Sequence, residues 1–119
     1  MITKDQIVAW LRRSAEVLAE NKVYLTDLDA AIGDADHGIN MDRGFKRVMS
    51  QLPGVEDKDI GNILKMAGMA LISSVGGAGG PLYGTFFMRA GMATAGKYEL
   101  SNADVAQLLE AALDGVLQR

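Results

Sequence analysis

Three aspartates and two glycines surround the single histidine of this sequence, in the stretch LDAAIGDADHGINM at residues 28–41. Asp29, Asp34 and Asp36 fall within eight residues. Carboxylates this close repel one another unless a cation lies among them. They would not share one face of an ideal helix, because Asp34 would point away from the other two. The segment must therefore turn, and Gly33 permits a turn.

The residue types around this segment favour Mg²⁺ over other cations. The calcium loop of an EF-hand requires a glutamate at its twelfth position, where this sequence has Phe45. Zinc prefers histidine and cysteine, and the chain has one histidine and no cysteine. Mg²⁺ is commonly bound by a few carboxylates together with substrate phosphates. The alternative is an ordinary solvated turn, in which Asp36 caps the next helix and His37 is a surface residue at the helix start.

A glycine-rich stretch, SSVGGAGGPLYG at residues 73–84, is the second candidate for chemistry. Four glycines in residues 76–80 expose backbone N–H groups and allow close approach by a ligand. Pro81 favours the start of a helix, whose N-terminus attracts anions. The stretch is neither a Walker loop, since no Gly-Lys-Ser/Thr follows, nor a dinucleotide fingerprint. The alternative is a flexible connection, or close helix packing through glycine.

Taken together, the two stretches are suited to binding a polyphosphate with metal ions. Three carboxylates and an ADP bring roughly six negative charges, and two Mg²⁺ ions would offset about four of them. Helix dipoles and backbone donors would compensate for the remainder. Such an arrangement stabilises charge on a transferring phosphoryl group.

Five helices and no strand are predicted to position these stretches. Thr3 and Gln6 form a capping box for the first helix, and Ser101 caps the last. Pro53 and Gly54 end the second helix, and Asp57 or Asp59 caps the third. Loops are predicted at 22–37 and 75–80. The helices are predicted at about 4–21, 38–51, 58–74, 81–95 and from 102 onward.

Helical spacing of apolar residues predicts which side chains form the core. The fourth helix is apolar nearly all round and is expected to be the most buried. In the first helix, the predicted core residues are Ile7, Trp10, Leu11, Val17 and Leu18; in the last they are Val105, Leu108, Leu109, Ala112, Val116 and Leu117.

Composition places the chain among single-domain globular proteins. It has 119 residues, a formal net charge of −3 and no basic run, which argues against a nucleic-acid partner. No apolar run approaches the roughly 20 residues of a membrane span, so no membrane partner is expected. The start of the chain has no signal-peptide pattern, and we expect a cytoplasmic protein.

LDAAIGDADHGINMDRGF and SSVGGAGGPLYGTFF closely resemble the ADP-binding L subunits of bacterial dihydroxyacetone kinases. The resemblance extends over essentially all 119 residues. It implies an all-α antiparallel barrel or bundle of about eight helices, of which residues 1–119 would supply the first five. A nucleotide and two Mg²⁺ ions would bind at one end, between loops.

The resemblance also implies a role for individual residues. Asp29, Asp34 and Asp36 would be the Mg²⁺ ligands, and no residue of this chain would act as a general base. Gly79 departs from the family pattern, where a small hydroxyl residue is common; this concerns one side-chain hydrogen bond and not the backbone cradle. The residues that would contact ADP or ATP are His37, Gly38, Ile39, Asn40, Ala78 and Gly79.

In the phosphotransferase-dependent members of this family, ADP stays bound and a phosphohistidine-carrying protein rephosphorylates it. The phosphoryl group then passes to dihydroxyacetone held by a separate substrate-binding subunit. Family members extend well beyond residue 119, so we expect a C-terminally truncated domain with impaired nucleotide retention. Two other functions stay open: the nucleotide domain of an ATP-dependent dihydroxyacetone or fatty-acid kinase, and a non-catalytic helical interaction module.

Overall fold

Five helices packed against one another form the fold, confirming the predicted all-α class. The computed structural model describes residues 1–30, 37–74 and 79–118. The helices are α1 (Lys4–Ala30), α2 (His37–Gln51), α3 (Ile60–Ser74), α4 (Gly79–Ala93) and α5 (Asn102–Leu117), and a short 3-10 helix spans Leu52–Gly54.

Two very short strands link the first residues of the chain to the segment just before α5, although no strand was predicted. Strand β1 (Ile2–Thr3) pairs antiparallel with β2 (Glu99–Leu100), placing Ile2 opposite Leu100. The predicted capping box at Thr3 and the predicted cap at Ser101 are both confirmed beside this pair, and Asp104 completes a capping box with Ser101. Gln6 N donates to Thr3 Oγ1 at 3.2 Å, and Asp104 N donates to Ser101 Oγ at 3.1 Å. The strands thus join the starts of α1 and α5, where each helix is capped.

Helix α1 continues to Ala30, so the loop predicted from residue 22 is wrong over 22–30. No glycine or proline interrupts the helix in this segment. Polar side chains that could start a turn instead bond within the helix. Asn21 Nδ2 donates to Val17 O at 2.8 Å, and Thr26 Oγ1 donates to Lys22 O at 2.7 Å. The rest of that predicted loop, residues 31–36, lies outside the described residues.

Glycines bring α3 and α4 into close antiparallel contact. A Cβ at Gly68 would lie 2.7 Å from Met88 N and 2.8 Å from Gly84 O. Two helical turns before Gly68, a Cβ at Gly61 would lie 2.8 Å from Gly91 O. Since backbone atoms cannot move aside, only glycine allows this separation of the helices.

Asp59 ties the start of α3 to the turn that follows α4. Its side chain, 8% exposed, accepts hydrogen bonds from Gly96 N at 2.6 Å and from Asn62 Nδ2 at 2.5 Å. Gly96 has φ +78°, a conformation that favours glycine. Burial raises the pKa of Asp59, but the hydrogen bonds from Gly96 and Asn62 outweigh it, and the pKa is lowered overall. Of the two predicted caps, Asp59 is therefore the one at the helix start.

The core lies where α1, α2, α3 and α4 meet. Leu11, a predicted core residue, is fully enclosed, and so is Val48 of α2. Other predictions of burial are wrong: Trp10 is 46% exposed and Leu117 is 77% exposed, with Val17 and Leu109 also exposed. Helical spacing shows which residues share a face but not whether that face has a neighbour. The core also contains Leu52, Ile60, Ile63, Leu64, Leu71 and Leu100.

Replacing Asp59 with Asn should destabilise the fold by about 1–3 kcal/mol at pH 7, because a charge-assisted bond network is lost. Since folding lowers the pKa of Asp59, the carboxylate stabilises the fold above its unfolded pKa. That stabilisation is lost as the pH falls through the folded-state pKa. Urea unfolding at several pH values should show the difference from the parent chain shrinking on acidification.

The matched control is Asp57→Asn, at an exposed position two residues earlier. It should leave the free energy of unfolding within about 0.5 kcal/mol of the parent. An Asp59→Asn deficit that is independent of pH, or one equalled by the control, would contradict the role given to this carboxylate.

Replacing Gly68 with Ala should cost about 1–3 kcal/mol, because the new methyl group meets backbone atoms of α4. Gly54→Ala is the control, since a Cβ at that position has nothing within 4 Å. The midpoint of urea unfolding measures both. Equal midpoints for the two variants would show that the backbone contact between α3 and α4 is not as close as described.

Candidate functional site

The predicted site residues that the structure describes lie at three helix ends. Asp29 lies in the last turn of α1, His37 begins α2, and Gly79 begins α4. Helix α4 therefore starts two residues before Pro81, the predicted first helical position. Gly38, Ile39 and Asn40 lie in the first turn of α2. The predicted site residues Asp34, Asp36 and Ala78 lie outside the described residues.

Residues near these helix ends line a common groove with a volume of about 530 Å³. Leu25 of α1 is five residues from the end of its helix, and Met41 of α2 and Tyr83 of α4 are each four residues from the start of theirs. The groove thus includes residues near the C-terminal end of α1 and near the N-terminal ends of α2 and α4.

The helix dipoles at these ends have opposite consequences for a ligand. Asp27 and Asp29 lie close to the end of α1, and its last turn contains no basic residue. Carboxylates at the negative end of a helix are unfavourable, so a cation bound there would stabilise the fold. The first turns of α2 and α4 contain no acidic residue, and the N–H groups at a helix N-terminus favour an anion.

A metal site cannot be completed from the described residues alone. Within residues 1–30, 37–74 and 79–118, no group of three side chains is suited to holding a metal ion. Two of the three predicted ligands, Asp34 and Asp36, lie outside those ranges. The predicted magnesium site therefore stays a prediction, and its described part is the backbone position of Asp29.

Gly38 has a packing reason to be glycine that the sequence analysis missed. Its α-carbon faces α1 so closely that a Cβ would overlap the carbonyl oxygen of Lys22 and lie 2.7 Å from Thr26 Oγ1. Its neighbour Ile39 is exposed. The side chain of Asn40 accepts a long hydrogen bond, 3.4 Å, from Arg43 Nη1. Of the described residues predicted to contact nucleotide, Ile39 and Asn40 thus remain accessible.

Asp42 is a second feature that sequence reasoning missed. Its side chain is nearly buried, with the residue 6% exposed, and its Oδ2 lies 2.9 Å from Lys46 Nζ and 3.8 Å from Lys22 Nζ. Asp42 and Lys46 are four residues apart, a spacing that indicates a helical ion pair. No sequence signal indicated the partner on α1, because that contact depends on how α1 and α2 pack.

Aromatic side chains line much of the groove wall. Phe87 lies 5.6 Å from Trp10, 6.3 Å from Phe45 and 5.4 Å from Phe86, measured between ring centroids. These tilted and edge-on arrangements are favourable for aromatic pairs. The groove wall is thus mainly apolar, and its polar lining residues are Arg13 and Ser14 of α1 and Tyr83 of α4.

The fold is an all-α bundle in which the described residues of the predicted site lie at three helix ends. The model of the DAK2 domain family matches residues 31–119. This covers most of the chain, which belongs to the DAK2 domain family.

The chain is similar over nearly its whole length to named ADP-binding subunits. It is 51% identical over 118 residues to the ADP-binding subunit DhaL of the PEP-dependent dihydroxyacetone kinase of Escherichia coli K12, covering 99% of this chain and 56% of that protein. It is 44% identical over 117 residues to the corresponding subunit of kinase 1 of Listeria innocua, covering 98% and 58%.

A third relative is the ADP-binding subunit DhaL of the PTS-dependent dihydroxyacetone kinase of Lactococcus lactis. It is 39% identical over 119 residues, covering 100% of this chain and 59% of that protein. The chain thus spans between half and two thirds of the length of these relatives. Across the described part of the chain, no helix has the length and apolar character needed to cross a membrane.

Proposed function

We propose that the chain is part of the phosphoryl-transfer subunit of a phosphotransferase-dependent dihydroxyacetone kinase. The observation that carries this proposal is 51%, 44% and 39% identity to three ADP-binding subunits of such kinases, over essentially the whole chain. The subunit would accept a phosphoryl group from a phosphohistidine-carrying protein onto bound ADP. It would then pass that group to dihydroxyacetone on a separate substrate-binding subunit, in the cytoplasm.

The helix ends support a site for a nucleotide diphosphate. The first turns of α2 and α4 present N–H groups and the positive ends of their dipoles. His37, Gly38, Ile39 and Asn40 would contact the phosphates from α2. Gly79, with Ala78, would do so from α4. Backbone donors suit this role, since they are fixed before the ligand arrives and need no reorganisation.

The acidic residues support metal binding at the same place. Asp29 lies at the negative end of α1, where a carboxylate is unfavourable without a cation. Asp34 and Asp36 would complete an oxygen-only ligand set, which suits Mg²⁺. Two Mg²⁺ ions held there would neutralise charge on the transferring phosphoryl group. The chain itself would orient the phosphates and need not supply a general base.

The first test is magnesium-dependent binding of ADP, measured by titration calorimetry. Asp34→Ala should weaken Mg²⁺–ADP binding at least tenfold, because one ligand is lost and the other carboxylates hold the ions less well. Asp27→Ala is the matched control, as it removes an exposed carboxylate from the end of α1 outside the proposed ligand set. Its affinity for ADP should stay within about twofold of the parent.

Circular dichroism of the Asp34→Ala variant should match that of the parent chain, which excludes unfolding as the cause. Unchanged ADP affinity in this variant would contradict the metal assignment and favour a non-catalytic helical module. Since these 119 residues span just over half of each relative, we expect weaker ADP binding than in a version extended to their length.

The second test separates an ADP-retaining subunit from an ATP-exchanging kinase domain. In a version extended to the length of the relatives, bound ADP should leave slowly, over many turnovers of phosphoryl transfer. Release can be followed by chasing labelled ADP with excess unlabelled ATP. Rapid exchange, complete within one turnover, would instead favour the ATP-dependent dihydroxyacetone or fatty-acid kinases.

A further inference from the structure

Four residues form a contact between α1 and α2. Three of them are outside the proposed nucleotide and metal ligands, and the fourth, Gly38, is a proposed nucleotide contact. We call this contact, made by Lys22, Thr26, Gly38 and Asp42, the α1–α2 junction. We propose that Gly38 and Asp42 are positioning residues: through the junction they fix the start of α2 relative to the end of α1. This inference rests on the proposed function, since those two helix ends carry the proposed ligands.

Close packing at Gly38 is the first feature of the junction. Gly38 lies against the carbonyl oxygen of Lys22, at a distance that no other residue type allows. The same carbonyl accepts the hydrogen bond from Thr26 Oγ1 at 2.7 Å, so the α1 surface at this point is itself fixed. The first turn of α2 can therefore approach α1 closely only while residue 38 has no side chain.

The nearly buried charge of Asp42 is the second feature of the junction. Asp42 lies one helical turn beyond Gly38 on the same face of α2. Its nearly buried carboxylate is 3.8 Å from Lys22 Nζ on α1 and 2.9 Å from Lys46 Nζ on α2 itself. Such a carboxylate needs a cation nearby, and Lys22 supplies one across the junction. Glycine thus sets the separation of the helices, and the Lys22–Asp42 pair stabilises their register.

The position of the junction explains how it would affect the site. Lys22 lies two turns before Asp29 on α1, and Gly38 follows His37 directly on α2. Helices of this length are stiff over two turns, so a displacement at the junction is transmitted to both helix ends. Lys22, Thr26 and Asp42 would act on ligand binding through geometry, without touching the metal or the nucleotide, whereas Gly38 would also contact the nucleotide through its backbone.

Hydrogen exchange of backbone amides, followed by mass spectrometry, tests the junction whether or not nucleotide binds. Asp42→Asn should speed exchange in residues 22–30 and 37–42 about tenfold, and Gly38→Ala by more than tenfold. Lys22→Met should speed it about threefold, and Lys22→Arg, which keeps the charge, should restore exchange to within twofold of the parent. Exchange in α3 and α4 should not change.

Lys46→Met is the matched control, because it removes the partner of Asp42 that lies on the same helix. It should leave exchange in residues 22–30 within twofold of the parent. Equal effects of Lys46→Met and Lys22→Met, faster exchange spread evenly over α3 and α4, or no effect of Asp42→Asn would each overturn the inference.

Mg²⁺–ADP affinity measured on the same variants tests the link to the site. Lys22→Met should weaken binding about threefold, in step with its effect on exchange, and Lys46→Met should not. Altered exchange without any change in affinity would overturn the positioning role. If a version extended to the length of the relatives binds no Mg²⁺–ADP, the proposed function fails, and the exchange data alone decide whether the junction fixes the two helices.

Discussion

The close approach of the α3 and α4 backbones is the constraint on which the rest of the fold depends. Glycines at positions 61 and 68 face glycines at 91 and 84, so the two backbones come into close contact at these positions. This contact sets their register along their whole length. At one end it places Gly96 where Asp59 can accept its N–H. The same register determines where α4 begins, and therefore where its N-terminus faces the groove.

The candidate site combines helix ends of opposite polarity. Helix α1 brings carboxylates to its own negative end, which is unfavourable unless a cation is bound. Helices α2 and α4 present positive ends, which favour phosphate. A magnesium–diphosphate complex would match both requirements, since its metal ions would face carboxylates and its oxygens would face N–H groups. This electrostatic argument is independent of the identity to ADP-binding subunits and agrees with it.

Local signals in the sequence predicted much of the fold. The capping box at Thr3 and the cap at Ser101 were predicted because their hydrogen bonds join residues three apart, so tertiary structure is not needed to find them. The end of α1 was predicted too early, although residues 22–30 contain no glycine or proline that would end a helix. Only packing against α2 shows that it stays helical.

Features that depend on two elements meeting could not be predicted in the same way. The exposure of Trp10 and Leu117 depends on which neighbours their helix faces have. The Lys22–Asp42 pair likewise exists only once α1 and α2 have packed. One long-range feature did leave a signal: glycines seven apart in α3, and again in α4, lie on one face and indicate a close helix contact. Asp29, Asp34 and Asp36 were singled out by residue type, by spacing and by the family resemblance, and their role as metal ligands stays a prediction.

Counting metal ions tests the central claim most directly. Mn²⁺ can replace Mg²⁺, and its free concentration is read from its paramagnetic resonance signal as the chain is titrated with and without ADP. The account predicts that two Mn²⁺ ions are bound per chain at saturating ADP, more than the same ADP binds alone. Mn²⁺ binding equal to that of ADP alone, with no contribution from the chain, would contradict it.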